Sequence, residues 1–225
     1  MKVFKNIEKC RVCFSSKLSV VIKIDDQYLS PTFVKKNVGA LSKMKVPHTL
    51  VLCKKCNLLQ LKETVNPDLL YKNYFYRSSV SDTMKRDLEG VIDDVISKTN
   101  LKKGDCVLDI GANDGTLLNF YKKKNFKTIG CEPAKNLHKL LEKRTNFSIK
   151  NFWNKRELNK VLKKNNLAKP KIITAIGMFY DLEDPNKFIK DAADSLHENG
   201  IFIAQLMCLK SMIEKNDLGN ICHEH

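Results

Sequence analysis

Cys10-Arg11-Val12-Cys13 and Cys53-Lys54-Lys55-Cys56 are two C-x-x-C knuckles, each able to turn both of its sulfurs toward one ion. Four thiolates suit a tetrahedral Zn²⁺, and with no ligand position left open such a site is structural rather than catalytic. Thirty-nine residues separate Cys13 from Cys53, more than a minimal zinc ribbon needs, and the apolar run from Leu18 to Ile24 in that interval has the length of a further strand. A redox C-x-x-C usually stands singly beside a βαβ unit, so metal ligation is the favoured chemistry. Cys106, Cys131, Cys208 and Cys222 lie singly in or beside apolar runs and read as ordinary buried residues.

A second constellation is Asp109-Ile110-Gly111-Ala112-Asn113-Asp114-Gly115, which closes an apolar run and opens an amphipathic one. Glycines at a strand-to-helix turn let the backbone bend sharply and approach a ligand closely, at the sheet edge where doubly wound folds bind ligands. The spacing is G-x-x-x-G, which departs from the G-x-G-x-x-G of dinucleotide folds, and no Gly-Lys-Ser/Thr follows as in a P-loop. An acid at the strand end without a phosphate-holding Lys suits a ligand with a sulfonium and an amine better than a pyrophosphate. Glu132 comes 21 residues after Gly111, at the end of the next apolar run, where a carboxylate can accept both hydroxyls of a ribose. The last residues, His223-Glu224-His225, carry imidazoles of near-neutral pKa, the property a general base needs. Spacing alone does not separate that role from a polar chain terminus.

The elements that must position these groups follow from hydrophobic periodicity. His48 to Leu52 and Asn57 to Leu61 read as strands that the second knuckle joins into a hairpin. Residues 1–62 form a small module that depends on its ion, and an aromatic bridge follows from Asn66 to Ser79. A helix capped by Ser81 follows, with Met84, Leu88, Val91, Ile92, Val95 and Ile96 on one face. Bridge and helix together occupy residues 63–100. From residue 101 to 225, strands near 107–110, 128–131, 148–150, 172–176 and 201–206 alternate with helices near 116–124, 134–144, 155–165 and 185–197. That rhythm predicts an α/β parallel sheet with helices on both faces.

Composition bounds the function classes. The chain has 225 residues, 43% of them hydrophobic, room for one full domain and a small one. The formal charge of +15 points toward nucleic acid or a membrane surface, yet 35 of the 40 basic residues are Lys and 5 are Arg, beside 20 Asn. Bidentate phosphate and base recognition leans on Arg, so the excess reads first as a solvated Lys-rich surface and nucleic acid is disfavoured as a partner. No run reaches the ~20 apolar residues of a membrane span, and the first ten residues lack the apolar core of a signal peptide, so a cytoplasmic location is expected.

The run Asp109 to Gly115 resembles the first motif of class I S-adenosylmethionine-dependent methyltransferases, and Cys131-Glu132-Pro133 resembles their second. The two cysteine pairs, Tyr74-Phe75-Tyr76-Arg77-Ser78-Ser79-Val80-Ser81, Asp109 to Leu118, and Ile221-Cys222-His223-Glu224-His225 together resemble the C-methyltransferases of deoxysugar biosynthesis. Those enzymes join a zinc-binding domain to a methyltransferase domain and a further C-terminal domain. The resemblance implies a Rossmann-like class I methyltransferase sheet with a small N-terminal zinc-binding domain, and S-adenosylmethionine and Zn²⁺ as cofactors. It implies that Asp109, Gly111, Asn113 and Gly115 border the methionine part of the cofactor, Glu132 the ribose and Phe152 the adenine, with Met178 near the sulfonium. It also implies His225 as catalytic base with Glu224 beside it, Tyr76 closing over cofactor and substrate, and Cys10, Cys13, Cys53 and Cys56 as metal ligands. Where some relatives carry a His after the fourth strand of the sheet, this chain reads Met178-Phe179-Tyr180-Asp181.

The substrate so implied is a small molecule, a keto nucleotide sugar, whose carbonyl acidifies the neighbouring C–H so that an enolate can attack the sulfonium methyl. Two other readings stand beside it. A zinc-ribbon RNA methyltransferase fits the charge, but the Asn/Asp-Pro-Pro-aromatic tetrad of base-amine methylation is replaced by Gly177-Met178-Phe179-Tyr180. A non-catalytic S-adenosylmethionine-binding remnant fits the chain's end, because a class I sheet takes two strands beyond the fifth and 19 residues follow Leu206. The sequence is thus expected to lack its C-terminal strands, to be completed by a separate chain or to be a shortened form, and by itself to bind S-adenosylmethionine weakly or to be poorly soluble.

Overall fold

The cysteine knuckles are turns between strands. In the computed structural model, which describes residues 3–29 and 44–217, β1 (Phe4–Asn6) precedes the first knuckle and β2 (Leu18–Tyr28) follows it. β3 (Lys45–Cys53) runs into the second knuckle and β4 (Leu59–Leu61) leaves it. β3 pairs antiparallel with β4 in the register Leu50↔Leu61 to Leu52↔Leu59, the expected hairpin. On its other side it pairs with β2, Leu18 lying opposite Cys53, so the apolar run after the first knuckle is a strand that brings the two cysteine pairs to one end of a three-stranded sheet. β5 (Glu63–Val65) pairs antiparallel with β1, and α1 (Pro67–Tyr71) begins at Asn66, whose side chain accepts from the Asp68 amide. Among the described residues the first unit takes in 3–29, 44–75, 179–187 and 206–217.

The second unit comprises residues 76–178 and 188–205. Ser81 caps α2 (Asp82–Lys98), accepting from the Met84 amide, and the helix buries Leu88, Ile92 and Val95, the expected apolar stripe. Then come β6 (Cys106–Ile110), α3 (Thr116–Lys123), β7 (Lys127–Cys131), α4 (His138–Arg144), β8 (Phe147–Ile149), α5 (Lys155–Lys164), β9 (Ile172–Ile176), α6 (Pro185–Ser195) and β10 (Ile201–Gln205). The five strands form one parallel sheet in the order β10-β9-β6-β7-β8. The order reverses between β6 and β9, so the crevice for a ligand opens at the carboxyl ends of these two strands. β6 is buried along its whole length, and Val107, Leu117, Leu118, Tyr121, Leu141 and Ile172 pack with the α2 stripe into one core. This is the α/β parallel sheet expected from the sequence.

In the first unit the last helix among the described residues, α7 (Leu209–Glu214), starts after Cys208. Cys106 and Cys131 are buried as expected, but Cys208 is exposed, because the chain leaves the sheet after Gln205 and the residue stands at a helix start instead of in a strand. Cys222 lies outside the described residues, as do His223, Glu224 and His225. Among the described residues no helix is long and apolar enough to cross a membrane.

Candidate metal centre and cofactor site

The two knuckles have the same backbone. Cys10 N donates to Ser15 O at 2.9 Å and Phe14 N to Cys10 O at 3.0 Å; Cys53 N donates to Leu58 O and Asn57 N to Cys53 O, both at 2.9 Å. The residue after each pair is left-handed, Phe14 at φ 58° and Asn57 at φ 60°. Asn tolerates that region, whereas a bulky Phe there is strained and needs its surroundings to hold it. The sulfurs of Cys10 and Cys56 are 3.6 Å apart and those of Cys13 and Cys53 are 3.5 Å apart. All four lie within 4.8 Å of one another, and a tetrahedral zinc with Zn–S of about 2.3 Å spaces its sulfurs by roughly 3.8 Å, so the cluster fits that ion.

Two side chains that the spacing of the cysteines does not announce complete this centre. Gln60 Nε2 donates to Cys10 Sγ at 3.3 Å, and its Oε1 accepts from the Arg11 amide at 3.1 Å. The Arg11 guanidinium, 7% exposed, donates to Leu61 O at 2.6 Å and to Thr64 Oγ1 at 2.7 Å. Burial pushes the Cys10 thiol up, but the Cys13 and Val12 amides and Gln60 outweigh it and bring the thiol down to about 6. Four thiolates around Zn²⁺ carry a net double negative charge, and a buried guanidinium with amide donors is what such a charge needs in a low-dielectric setting.

At the carboxyl edge of the sheet the loop after β6 turns back through three left-handed residues, Gly111 at φ 76°, Asn113 at φ 50° and Gly115 at φ 79°. A Cβ on Gly111 would stand 2.8 Å from Met178 Cγ, so glycine is what lets Met178 close over the loop. At Gly115 a Cβ would stand 3.1 Å from Arg144 Cβ and 3.2 Å from Leu141 Cδ1, so glycine there lets the end of α4 seat against the start of α3.

Glu132 binds the two ends of the crevice together. Its Oε2 accepts from the Asn113 amide and its Oε1 from the Ala134 amide, each at 2.8 Å. Burial pushes this carboxyl up while both amides draw it down, and the net direction is upward. A carboxylate has about four acceptor positions, so two remain for hydroxyl donors such as those of a ribose. Asp109, 4% exposed, accepts from Thr174 Oγ1 on β9 at 2.5 Å. Burial pushes its carboxyl up to about 7, with the nearby Glu132 adding to the rise.

The structure therefore brings Asp109, Gly111, Asn113, Gly115, Glu132 and Met178 to one crevice. Tyr76 joins them through its backbone, since Asn113 Nδ2 donates to Tyr76 O at 3.1 Å. Phe152 is half-buried and follows Asn151, whose carbonyl accepts from Cys131 Sγ at 3.3 Å beside the end of β7. Left-handed glycines, an acceptor with positions to spare and the Met178 side chain against Gly111 fit the methionine and ribose parts of S-adenosylmethionine. Sequence reasoning passed over Asp114, Arg144 and Thr174. Asp114 is fully buried and pairs with Arg144 Nη1 at 2.8 Å, and the signal for it was the acid itself, unusual in a buried loop.

Comparison with known proteins bears on the family. Residues 84–225 match the family described as "Methyltransferase domain", and residues 10–71 match the one described as "Putative zinc binding domain". The chain is similar to "C-methyltransferase NovU" of Streptomyces niveus, 22% identical over 223 residues, covering 99% of this chain and 53% of that protein. It thus spans about half the length of the curated relative it matches. Among solved structures, DesVI of Streptomyces venezuelae is 15% identical, with 60% of this chain and 59% of that one covered, at a TM-score of 0.43. Precorrin-6y C5,15-methyltransferase of Geobacter metallireducens is 13% identical, with 68% and 77% covered, at a TM-score of 0.40. The methyltransferase-domain match takes in more than half of the residues, and the chain belongs to the S-adenosylmethionine-dependent methyltransferase family, joined here to an N-terminal zinc-binding domain.

Proposed function

We propose that this chain serves the transfer of a methyl group to a carbon beside the carbonyl of a keto nucleotide sugar. The observation that carries the reading is the alignment of 99% of the chain, zinc-binding domain included, with a relative named as a C-methyltransferase. S-adenosylmethionine, when bound, supplies the electrophilic methyl group. Asp109, Gly111, Asn113 and Gly115 border its methionine part, Glu132 accepts from the ribose hydroxyls, Phe152 flanks the adenine and Met178 lies near the sulfonium. Cys10, Cys13, Cys53 and Cys56 ligate the zinc, which has no open position and acts structurally.

Attack on the methyl needs a carbanion equivalent. A base removes the proton next to the sugar carbonyl, and the resulting enolate carbon forms the new C–C bond as the S–CH₃ bond breaks, its electron pair leaving with sulfur. His225 is assigned as that base, with Glu224 beside it, because an imidazole of near-neutral pKa is matched to this proton transfer. Tyr76 closes over the reacting groups and excludes water, which holds them in register. The substrate is a small molecule, and part of the Lys-rich surface offers attraction for its diphosphate.

The reading is tested by incubating the chain with S-adenosylmethionine and a thymidine-diphosphate 4-keto-6-deoxyhexose in D₂O, with mass spectrometry of the sugar. A gain of 14 mass units for CH₂, beyond any deuterium, is expected, and deuterium uptake beside the carbonyl is expected to vanish in His225→Gln. Methylation of RNA in place of the sugar would overturn the reading, and so would cofactor binding with neither methylation nor exchange.

A further inference from the structure

The segment that carries Tyr76 is fastened to the loop after β6 by the side chains of Asn113 and Asp114. Ser78 N donates to Asn113 Oδ1 at 3.1 Å, Asn113 Nδ2 donates to Tyr76 O at 3.1 Å, and Ser79 N donates to Asp114 Oδ2 at 3.2 Å. Asp114 is itself held: Thr116 Oγ1 donates to its Oδ1 at 2.6 Å, and Arg144 Nη1 reaches its Oδ2 at 2.8 Å and its carbonyl at 3.1 Å. Burial alone would push the Asp114 carboxyl up; the Ser79 amide, Thr116 and the Arg144 guanidinium hold it below the usual range, so it stays charged. On the far side, Ser81 starts α2, whose stripe lies in the core. The segment is thus pinned at both ends.

One residue links this fastening to the ligand side of the crevice. Asn113 gives its amide to Glu132 at 2.8 Å while its side chain holds Tyr76 and Ser78, and it does both from a left-handed conformation at φ 50°. Whatever fixes the loop for Glu132 also fixes it for the segment, and coupling of that kind is reciprocal.

We propose that Asp114, braced by Arg144, is a positioning residue of the methyl-transfer site. With Asn113 it docks residues 76–80 on the cofactor loop, so that cofactor binding and placement of Tyr76 occur together. This rests on the assignment of the crevice as the S-adenosylmethionine site.

The full chain tests it with two readouts, calorimetric binding of S-adenosylhomocysteine and amide hydrogen exchange over residues 76–80. Ser78→Pro removes one amide donor and little else, because Arg77 before it is already extended at φ −130° and ψ 124°, the region a following proline requires. Ser78→Ala retains the amide. In the natural chain the ligand is expected to slow exchange at 76–80, and Ser78→Ala is expected to match it. Ser78→Pro and Asp114→Asn are each expected to bind about tenfold more weakly and to lose that protection. Binding within twofold of the natural chain in both variants would overturn the proposal, as would ligand protection at 111–115 with none at 76–80. Should Asp114→Asn fail to fold, Ser78→Pro decides alone. Should the natural chain bind no ligand, the cofactor reading fails by itself. Exchange without ligand then decides: faster exchange of the Ser78 and Ser79 amides in Ser78→Pro or Asp114→Asn supports the docking, and unchanged exchange overturns it.

Discussion

The first unit and the sheet unit reach a fixed structure by different means. In the sheet unit, residues from α2, α3, α4 and the strands β6 and β9 bury their side chains in one core. In the first unit a buried cluster of Leu29, Val46, Val65 and Leu70 lies beside strands whose outward residues Val20, Val21 and Ile22 are 60%, 52% and 41% exposed. What the first unit has in place of a large core is the cysteine cluster, with Phe14 strained behind the first knuckle and Arg11 and Gln60 buried around the sulfurs. Ligation can stand in for burial, but it makes the fold conditional on the ion.

Removal of the metal gives the sharpest contrast. Chelation, or Cys53→Ser, is expected to cost the first unit most of the ~10 kcal/mol or more that a structural zinc contributes. Amide protection over 45–65 is then lost while protection over 106–131 persists, and equal loss in both would erase the distinction. A smaller effect separates the two units by pH. The Asp109 carboxyl is raised to about 7, so the stability it favours is present below about pH 4. That stability is lost as the pH rises toward 7. Asp109→Asn is expected to flatten this decline, by up to about 4 kcal/mol at pH 8, measured as urea unfolding of the sheet unit against pH.

Asp114 has the opposite sign. Its carboxyl is lowered, so its stabilisation is present above the ordinary carboxylate range and is lost as the pH falls through the lowered value. Asp114→Asn leaves Arg144 with a neutral partner and is expected to cost about 2–3 kcal/mol at neutral pH, with the difference vanishing in acid unfolding scans. The smallest change expected is in the first unit. Gln60→Leu removes the donor to Cys10 Sγ and is expected to weaken zinc binding about tenfold in a chelator competition, with the sheet unit unaffected.

These differences also mark what could be read from the sequence. C-x-x-C spacing is local, so both knuckles and the β3–β4 hairpin were legible, and so was the βα alternation, because each strand and helix carries its own period. The β1–β5 pair was not, because three-residue strands that join Phe4 to Val65 have no period to detect. The Asp114–Arg144 pair spans thirty residues and depends on α4 ending over Gly115, which only the folded chain shows. Arg11 looked like any other solvated cation of a Lys-rich surface, and burial beside Gln60 separates it from them. Cys208 misled because its apolar neighbours belong to a chain that has already left the sheet.

The assignment of the crevice after β6 as the S-adenosylmethionine site is tested most directly by titrating the zinc-loaded chain with S-adenosylmethionine while following its assigned amide resonances. Saturable shifts centred on Gly111, Asn113, Gly115 and Glu132, with residues 45–65 unmoved, are the predicted result. No saturable shift, or shifts centred on the zinc-binding unit, would contradict it.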